Sequence, residues 1–348
     1  MSIDHPTEET LDRLSDYDYE LPEALIAQDP LEDRAGARLL HLDRRTGQIL
    51  HRTFRDMLNL LTPDDLLVFN DTRVSAVRLF GHKPSGGAVE ALVLRRSGAD
   101  NEYLALVRPG KRLRMGSTMV FDGGLTAEVV EELPGGERRL RFQCDGSVAD
   151  RLAQAGLVPL PPYIHHRLAD AERYQTVYGN TPGSAAAPTA GLHFDADLLA
   201  KLNSNGVGMA HVTLDVGIDT FRPVEAEDLH EHVMHGEVCR IPEATVEAVE
   251  NCRGRIIAVG TTATRTLESF ATGKRRLASG EKSTNLFIRP GYEFKIIDGM
   301  FTNFHLPRTT MLMMISALSS RNHIFAAYEE AKRENYRFLS FGDSMLIM

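Results

Sequence analysis

The sequence predicts an α/β fold: a mixed α/β domain built from both chain ends, with an antiparallel β-barrel domain inserted between them. Three observations lead there. From Leu66 to about Phe142 the chain breaks into short alternating runs separated by paired glycines, the texture of antiparallel strands joined by hairpins. After Asp150 apolar strands alternate with helical patterns. Both ends contribute extended segments, Arg38–Leu42 near the start and Met345–Met348 at the close. At 348 residues the chain exceeds one typical domain. The expected division is 1–70 and 151–348 for the α/β catalytic domain and 71–150 for the barrel.

Taken in order, an acidic leader precedes Arg38–Leu42, and Thr46-Gly47 turns the chain into Gln48–His51. Asp56–Leu61 reads as one or two helical turns. The barrel strands are Val74–Phe80, Val89–Leu94, Tyr103–Val107, Thr118–Phe121, Leu125–Glu131 and Arg138–Phe142. Between them Gly86-Gly87, Gly123-Gly124 and Gly135-Gly136 read as hairpin turns, not phosphate loops. Asp195 caps a helix to Asn203 that stops near Gly206, and Met209–Val216 follows as a strand. Pro242 opens a helix to Asn251. Arg255–Val259 is a buried strand, followed by a helix from about Thr264 to Thr272. Tyr292–Asp298 alternates like a strand, Met311–Leu318 is an apolar helical run, and Asn322 caps a last helix to about Arg333.

Composition excludes several classes. The three cysteines, Cys144, Cys239 and Cys252, form no CxxC, so neither disulfides nor structural zinc is expected. The longest apolar run is too short to span a bilayer, and the polar, acidic N-terminus carries no secretory pattern; a cytoplasmic protein without membrane attachment is expected. The net charge of −9 argues against sequence-independent wrapping of nucleic acid. The charge is uneven, however. Thr72–Asp150 holds 12 Lys and Arg against 10 Asp and Glu, so the remainder carries −11. A polyanion would therefore meet a local patch.

Four polar segments sit between apolar elements: Phe69-Asn70-Asp71-Thr72-Arg73-Val74, Pro188-Thr189-Ala190-Gly191-Leu192-His193-Phe194, Gly260-Thr261-Thr262-Ala263-Thr264-Arg265 and Thr302-Asn303-Phe304-His305-Leu306-Pro307. Such groups are expensive to bury without hydrogen bonds, and loops at strand ends are common places for substrate contacts. Together they suggest one shared cleft. At Gly260 a strand ends in glycine and threonines open a helix, whose free N–H groups suit an anion; Arg265 could grip a carboxylate or phosphate. The alternative is threonine caps and a surface arginine. The spacing is neither a P-loop nor GxGxxG. His193, between large apolar neighbours, is either a structural group or a functional one approached across Ala190 and Gly191. Asn70-Asp71 is either a tight turn or a cleft wall.

His230, Glu231, His232, His235 and Glu237 form the densest ligand-like cluster, but without the H-E-x-x-H spacing. Acid/base or hydrogen-bonding roles for His232, His235 and Glu237 fit better than a metal site. Asp215 and Asp219 flank Gly217 at a strand end, where they serve either as paired carboxylates or as turn formers. The basic run Arg108–Arg114 is a solvated face or a phosphate-contacting loop.

These segments, in this order, resemble the S-adenosylmethionine:tRNA ribosyltransferase-isomerase family. The likeness covers nearly the whole chain and includes Tyr17-Asp18-Tyr19-Glu20-Leu21-Pro22, Leu160-Pro161-Pro162-Tyr163-Ile164, Tyr174-Gln175-Thr176-Val177-Tyr178, His232-Val233-Met234-His235-Gly236-Glu237 and Tyr336-Arg337-Phe338-Leu339-Ser340-Phe341-Gly342-Asp343. Two departures stand out. Some members carry His-Val-Gly-x-Gly-Thr-Phe where this chain has Asp215-Val216-Gly217-Ile218-Asp219-Thr220-Phe221, and a serine often follows His-x-Met-His where Gly236 stands.

The resemblance implies a step of queuosine synthesis. The ribosyl group of S-adenosylmethionine is transferred and isomerised onto 7-aminomethyl-7-deazaguanine at the tRNA wobble position, giving epoxyqueuosine-tRNA, adenine and methionine. S-adenosylmethionine is then a consumed substrate, with no bound cofactor or metal, and the protein acts as a monomer. His193, His235 and His305 become acid/base candidates, with Glu237 and Asp215 as orienting or alternative bases. Thr261, Thr262 and Arg265 would hold the methionine carboxylate. Asn70, Asp71 and Arg73 would line the cleft at the domain junction, and Pro188, Thr189, Gly191, Thr220, His232, Gly260 and Asn303 would complete the substrate site. The rival readings are an S-adenosylmethionine-dependent tRNA methyltransferase, for which the usual glycine-rich nucleotide loop is missing, a non-catalytic RNA-binding module, and a metal hydrolase.

Overall fold

The computed structural model describes residues 11–99, 101–217, 224 and 226–348, and the chain divides into two compact units. One contains the chain up to Thr72, Pro162–Asn180 and Pro188–Met348; the other contains Arg73–Pro161 and Thr181–Ala187. The barrel unit thus runs past residue 150, where the sequence placed its end.

In chain order the strands of the first unit begin with β1 (Arg38–Leu42), β2 (Ile49–Thr53) and β3 (Leu66–Asn70). The barrel unit follows. It holds all but the first residue of β4 (Thr72–Val74), and β5 (Val77–His82), β6 (Ala88–Arg96), β7 (Glu102–Arg108), β8 (Thr118–Phe121), β9 (Thr126–Glu132), β10 (Glu137–Gln143) and β11 (Thr181–Ser184). The α/β unit resumes with β12 (Gly208–Leu214), β13 (Glu237–Ile241), β14 (Ile256–Val259), the short pair β15 (Ala271–Gly273) and β16 (Arg276–Leu277), β17 (Gly280–Thr284), β18 (Gly299–Asn303) and β19 (Ser344–Ile347). The helices are α1 (Met57–Leu60), α2 (Val148–Ala155), α3 (Ala196–Ser204), α4 (Glu243–Asn251), α5 (Thr261–Ser269), α6 (Thr310–Leu318) and α7 (Arg321–Arg333).

Strands β5 to β10 close into an antiparallel barrel in the order β10-β7-β6-β5-β8-β9. Its interior is filled by Leu79, Val93, Val107, Met119, Val129, Leu140 and Phe142, the inward set of alternating strands. Helix α2, capped where Ser147 accepts the Asp150 amide, adds Val148 and Leu152 to that core.

The α/β unit is a nine-stranded sheet in the order β17-β13-β12-β3-β14-β18-β19-β1-β2. Its centre, β12-β3-β14-β18, is parallel throughout. Every residue of β3, β14 and β18 is buried, as expected for parallel strands covered on both faces. Phe54, Phe69, Phe194, Val259 and Phe301 form a core against the sheet. There Phe194 meets Phe54 and Phe69 edge-on at 4.9 and 5.1 Å, a favourable aromatic arrangement. Helix α5 lies against β3, β12 and β14.

Several elements differ from the sequence reading. Tyr292–Asp298 is not a strand; the strand is Gly299–Asn303. The Glu268 carboxylate instead accepts the amides of Lys295, Ile296 and Ile297 (2.9–3.1 Å), so the segment wraps a buried charge rather than joining a ladder. Helix α5 starts at Thr261, three residues before Thr264, and ends at Ser269. The last helix is capped by Ser320, which accepts the His323 amide at 3.1 Å, not by Asn322. Val74–Phe80 splits into β4 and β5, and β13 and β17 add an antiparallel flank.

Asp65 anchors the start of the central strands. It is 3% exposed and accepts from the Arg255 amide (2.8 Å), Arg255 Nε (2.9 Å) and the Thr62 amide (2.8 Å). Burial alone pushes its pKa up, but the Arg255 hydrogen bonds and charge, with the Thr62 amide, outweigh that and hold it at about 2. Because the folded-state pKa is depressed, the stabilisation is complete above the unfolded carboxyl value and is lost as pH falls through the folded one. We therefore expect Asp65→Asn to cost roughly 3 kcal/mol at pH 7, with the gap to the parent closing between about pH 4 and pH 2. Denaturant titrations across that range read it directly; a pH-independent gap would refute the assignment.

Candidate active site

Parallel pairing brings the carboxyl ends of four central strands to one edge of the sheet, the edge where open α/β sheets bind ligands. β3 ends at Asn70, β12 at Leu214, β14 at Val259 and β18 at Asn303. Three of the polar junctions singled out in the sequence follow these ends. The fourth, Thr189–His193, is a 3-10 turn joined to β18 by the Thr189 hydroxyl, which donates to Asn303 Oδ1 at 3.0 Å.

A pocket with about 940 Å3 of empty space opens on this edge. Its polar side is formed by Thr261, Thr262 and Arg265 of α5, with Glu237, His232 and His235 opposite. Gly260 enters α5 with φ +92°, a left-handed conformation that strains any side chain. It lets the chain turn sharply from β14 so that the first amides of α5 are free of the strand ladder. Thr262 Oγ1 is buried with no hydrogen-bond partner among the described residues. Leu286, Phe287, Ile288, Met311 and Met314 form an apolar wall. The sequence reading missed that wall because a Met-rich helical run looks like core.

Arg265 and Glu237 make a buried ion pair in which Nη1 donates to Oε2. Glu237 Oε1 accepts the Gly217 amide at 3.0 Å, and Arg265 Nη2 donates to the Thr284 carbonyl at 3.4 Å. The guanidinium expected to grip a substrate carboxylate is thus already neutralised from within. The pair ties α5 to β13 and to the chain after β12. His232 packs edge-on against Phe287 (5.2 Å); burial, then the neighbouring His235, lowers its pKa below the usual 6.5. His235 is exposed at the mouth.

Other nominated residues stand elsewhere. Asn70 is fully buried and hydrogen-bonded through both ends of its amide. Nδ2 donates to the Leu214 carbonyl (3.1 Å), while Oδ1 accepts the Leu214 (3.0 Å) and Thr72 (3.2 Å) amides. It clamps the ends of β3 and β12 rather than facing the pocket. Asp71 accepts the Thr213 hydroxyl at 2.6 Å, and Arg73 belongs to the barrel unit. Asp215 Oδ2 lies 3.6 Å from Arg240. Pro188 precedes the 3-10 turn. Gly191 is required by packing: a Cβ there would meet Tyr178 Oη at 1.9 Å. Thr220 and Asp219 lie outside the described residues.

His193 and His305 do not line this pocket. His193 Nε2 is 3.1 Å from Asn303 Nδ2, and burial, then the Arg337 and Arg34 charges, push its pKa down to about 4. His305 Nε2 is 2.8 Å from Thr302 Oγ1, and burial pushes its pKa down to about 3. Both are neutral at pH 7 and locked in hydrogen bonds around the end of β18. Among the described residues no group of three or more His, Cys, Asp and Glu side chains converges as a metal site, and no helix is long and apolar enough to cross a membrane.

The fold and pocket define a sheet-edge binding protein of the α/β class carrying an inserted barrel. The model of the queuosine biosynthesis protein family matches residues 14–347, and the chain belongs to that family. It is 48% identical over 336 residues to the S-adenosylmethionine:tRNA ribosyltransferase-isomerase of Staphylococcus saprophyticus, covering 95% of this chain and 98% of the relative. The same identity over 341 residues relates it to the protein of that name from Desulfitobacterium hafniense, covering 97% and 100%. Among solved structures, the S-adenosylmethionine tRNA ribosyltransferase of Thermotoga maritima superposes with a TM-score of 0.54 at 36% identity, covering 96% of this chain and all of that one.

The ion pair gives a direct test. Glu237→Gln leaves a buried guanidinium uncompensated and is expected to cost about 3–5 kcal/mol, whereas the double change Glu237→Gln with Arg265→Met should regain much of it. A double-mutant cycle by denaturant titration that shows no coupling would disprove the pairing.

Proposed function

We propose that this enzyme is an S-adenosylmethionine:tRNA ribosyltransferase-isomerase of queuosine biosynthesis, and that the sheet-edge pocket holds S-adenosylmethionine. The observation that carries the pocket assignment is its two-sided lining. Free helix-start amides and threonine hydroxyls lie on one side, and a Met and Phe wall lies on the other. The first suits the methionine carboxylate. The second suits the apolar body of the substrate with its polarisable sulfonium. Thr261 and Thr262 hold the carboxylate, and Arg265, already paired, positions α5 against Glu237.

The sulfonium acidifies the adjacent 5′ carbon of the ribose, and a base removes a proton there. Adenine leaves with a proton, the neutral aminomethyl group of the 7-deazaguanine base bonds to the sugar and gives up a proton, the deprotonated 5′ carbon closes the five-carbon ring, and the oxygen set free displaces the sulfur to close the epoxide as methionine departs. His232, held neutral at pH 7 by its surroundings, is suited to accept a proton, and His235 at the mouth to exchange one with solvent or adenine. His193, Asn303 and His305 position the end of β18. S-adenosylmethionine is consumed, so no resident cofactor is required. The protein works as a monomer in the cytoplasm on tRNA bearing 7-aminomethyl-7-deazaguanine.

Purified protein mixed with S-adenosylmethionine and that tRNA should release adenine and methionine and give epoxyqueuosine-tRNA by mass. Release of S-adenosylhomocysteine would identify a methyltransferase instead. Replacing His232 or His235 with Gln should lower kcat by roughly 10²–10⁴-fold with the fold intact by circular dichroism. The parent's pH–rate profile should fall on its acidic side below pH 6.5, as His232 takes up a proton, and the residual activity of His232→Gln should lack that limb.

A further inference from the structure

A second cavity, with about 300 Å3 of empty space, lies in the α/β unit behind His193. Arg34, Arg173, His193 and Ser340 are among its lining residues, and none of the lining side chains is acidic. Both arginines are held by backbone carbonyls. Arg34 donates to the carbonyls of Gln175 (3.0 Å), Leu192 (3.2 Å) and Glu172 (2.9 Å). Arg173 donates to the carbonyls of Glu32 (3.1 Å) and Leu31, and its buried Nε has no partner among the described residues. Beside them Arg337 donates to the Asp29 carbonyl, while its buried Nη1 has no partner among the described residues.

Among the described residues none of the three guanidinium groups has a carboxylate within 4 Å, although most other partly buried arginines of this unit are paired, Arg255 with Asp65 and Arg275 with Asp298 among them. The nearby acids are already engaged. The Asp343 carboxylate accepts the amides of Arg38 and Arg337 (both 2.8 Å), and Asp29 pairs with His166 at 2.8 Å. Asp170, Asp195 and Glu172 face Arg34 at longer range, as Asp343 faces Arg337, but none of them forms an ion pair with a guanidinium here, so the donors left over suit an anion from outside. The cavity reaches the sheet edge through one chain of contacts, His193 to Asn303 at the end of β18, and β18 is the neighbour of β14, which leads into the pocket already described.

We propose that the cavity bounded by Arg34, Arg173, His193 and Ser340, with Arg337 beside it, is a phosphoryl-binding site that takes a phosphodiester of the tRNA substrate. Planar guanidinium donors match phosphate oxygens in pairs. This deepens the reading above and rests on it for the identity of the nucleic acid.

The test uses the full chain and the variants Arg173→Gln and Arg337→Gln, with Arg173→Lys as a charge-conserving control; Arg34 is left alone because it ties three carbonyls together. Affinity for the aminomethyl-bearing tRNA, measured by filter binding across 50–300 mM salt, is expected to fall about tenfold in each Gln variant. The slope of log affinity on log salt should drop by about one. Arg173→Lys should keep the slope, and S-adenosylmethionine affinity by calorimetry should be unchanged throughout. Inorganic phosphate forms the second arm. Protection of the parent against thermal unfolding by phosphate, lost in the Gln variants while tRNA affinity stays unchanged, would overturn the assignment to tRNA and give the site to the free ion. Unchanged tRNA affinity and salt slope together with no phosphate effect would overturn the proposal. A parent protein that binds neither tRNA nor S-adenosylmethionine would instead overturn the functional reading on which it rests.

Discussion

The arrangement depends on one constraint, the parallel pairing of β12, β3, β14 and β18. Parallel neighbours end on the same side, so the polar residues at their carboxyl ends must assemble there, however distant they are in sequence. Asn70 keeps that edge in register. Its amide satisfies the Leu214 carbonyl and the Leu214 and Thr72 amides at once. These groups would otherwise be buried and unpaired where the ladder ends. The clamp explains why an asparagine stands at the end of a wholly apolar strand.

Two different electrostatic solutions occur on the same edge. In the pocket, Arg265 is neutralised by Glu237 inside the protein, so the guanidinium fixes the position of α5 and leaves amides and hydroxyls to face the ligand. Behind His193, the guanidinium groups are steadied by carbonyl oxygens, which orient a cation without cancelling its charge. A buried pair contributes rigidity but little attraction for an incoming anion; an unpaired cation held by carbonyls does the reverse. The histidines follow the same division. His193 and His305 are neutral and hydrogen-bonded in the interior, while His232 and His235 face the open pocket.

Much of the architecture was legible in the chain. The glycine-punctuated alternation of the barrel and the continuous apolar runs of β3 and β14 are local signals. So are the Asp195 cap, which accepts the Leu198 amide at 2.7 Å, and the opening of a helix after Gly260. The misreading of Tyr292–Asp298 came from the same kind of signal. Its alternation is real, but a carboxylate twenty-odd residues away collects its amides, and nothing local announces that.

Sequence alone determined which segments are polar where apolar character was due: the junctions after β3, β14 and β18 and the turn at Thr189–His193. The order of motifs placed the chain in its family. Only the tertiary structure decided which of those polar groups face a ligand. Arg265 is paired with Glu237 and Asn70 with Leu214, while Met311 and Met314 line a pocket and Arg34, Arg173 and Arg337 are held by carbonyl oxygens without a carboxylate among the described residues. The reason is physical: whether a charge or an amide is free depends on what long-range folding places within about 3 Å of it, and no spacing along the chain encodes that distance.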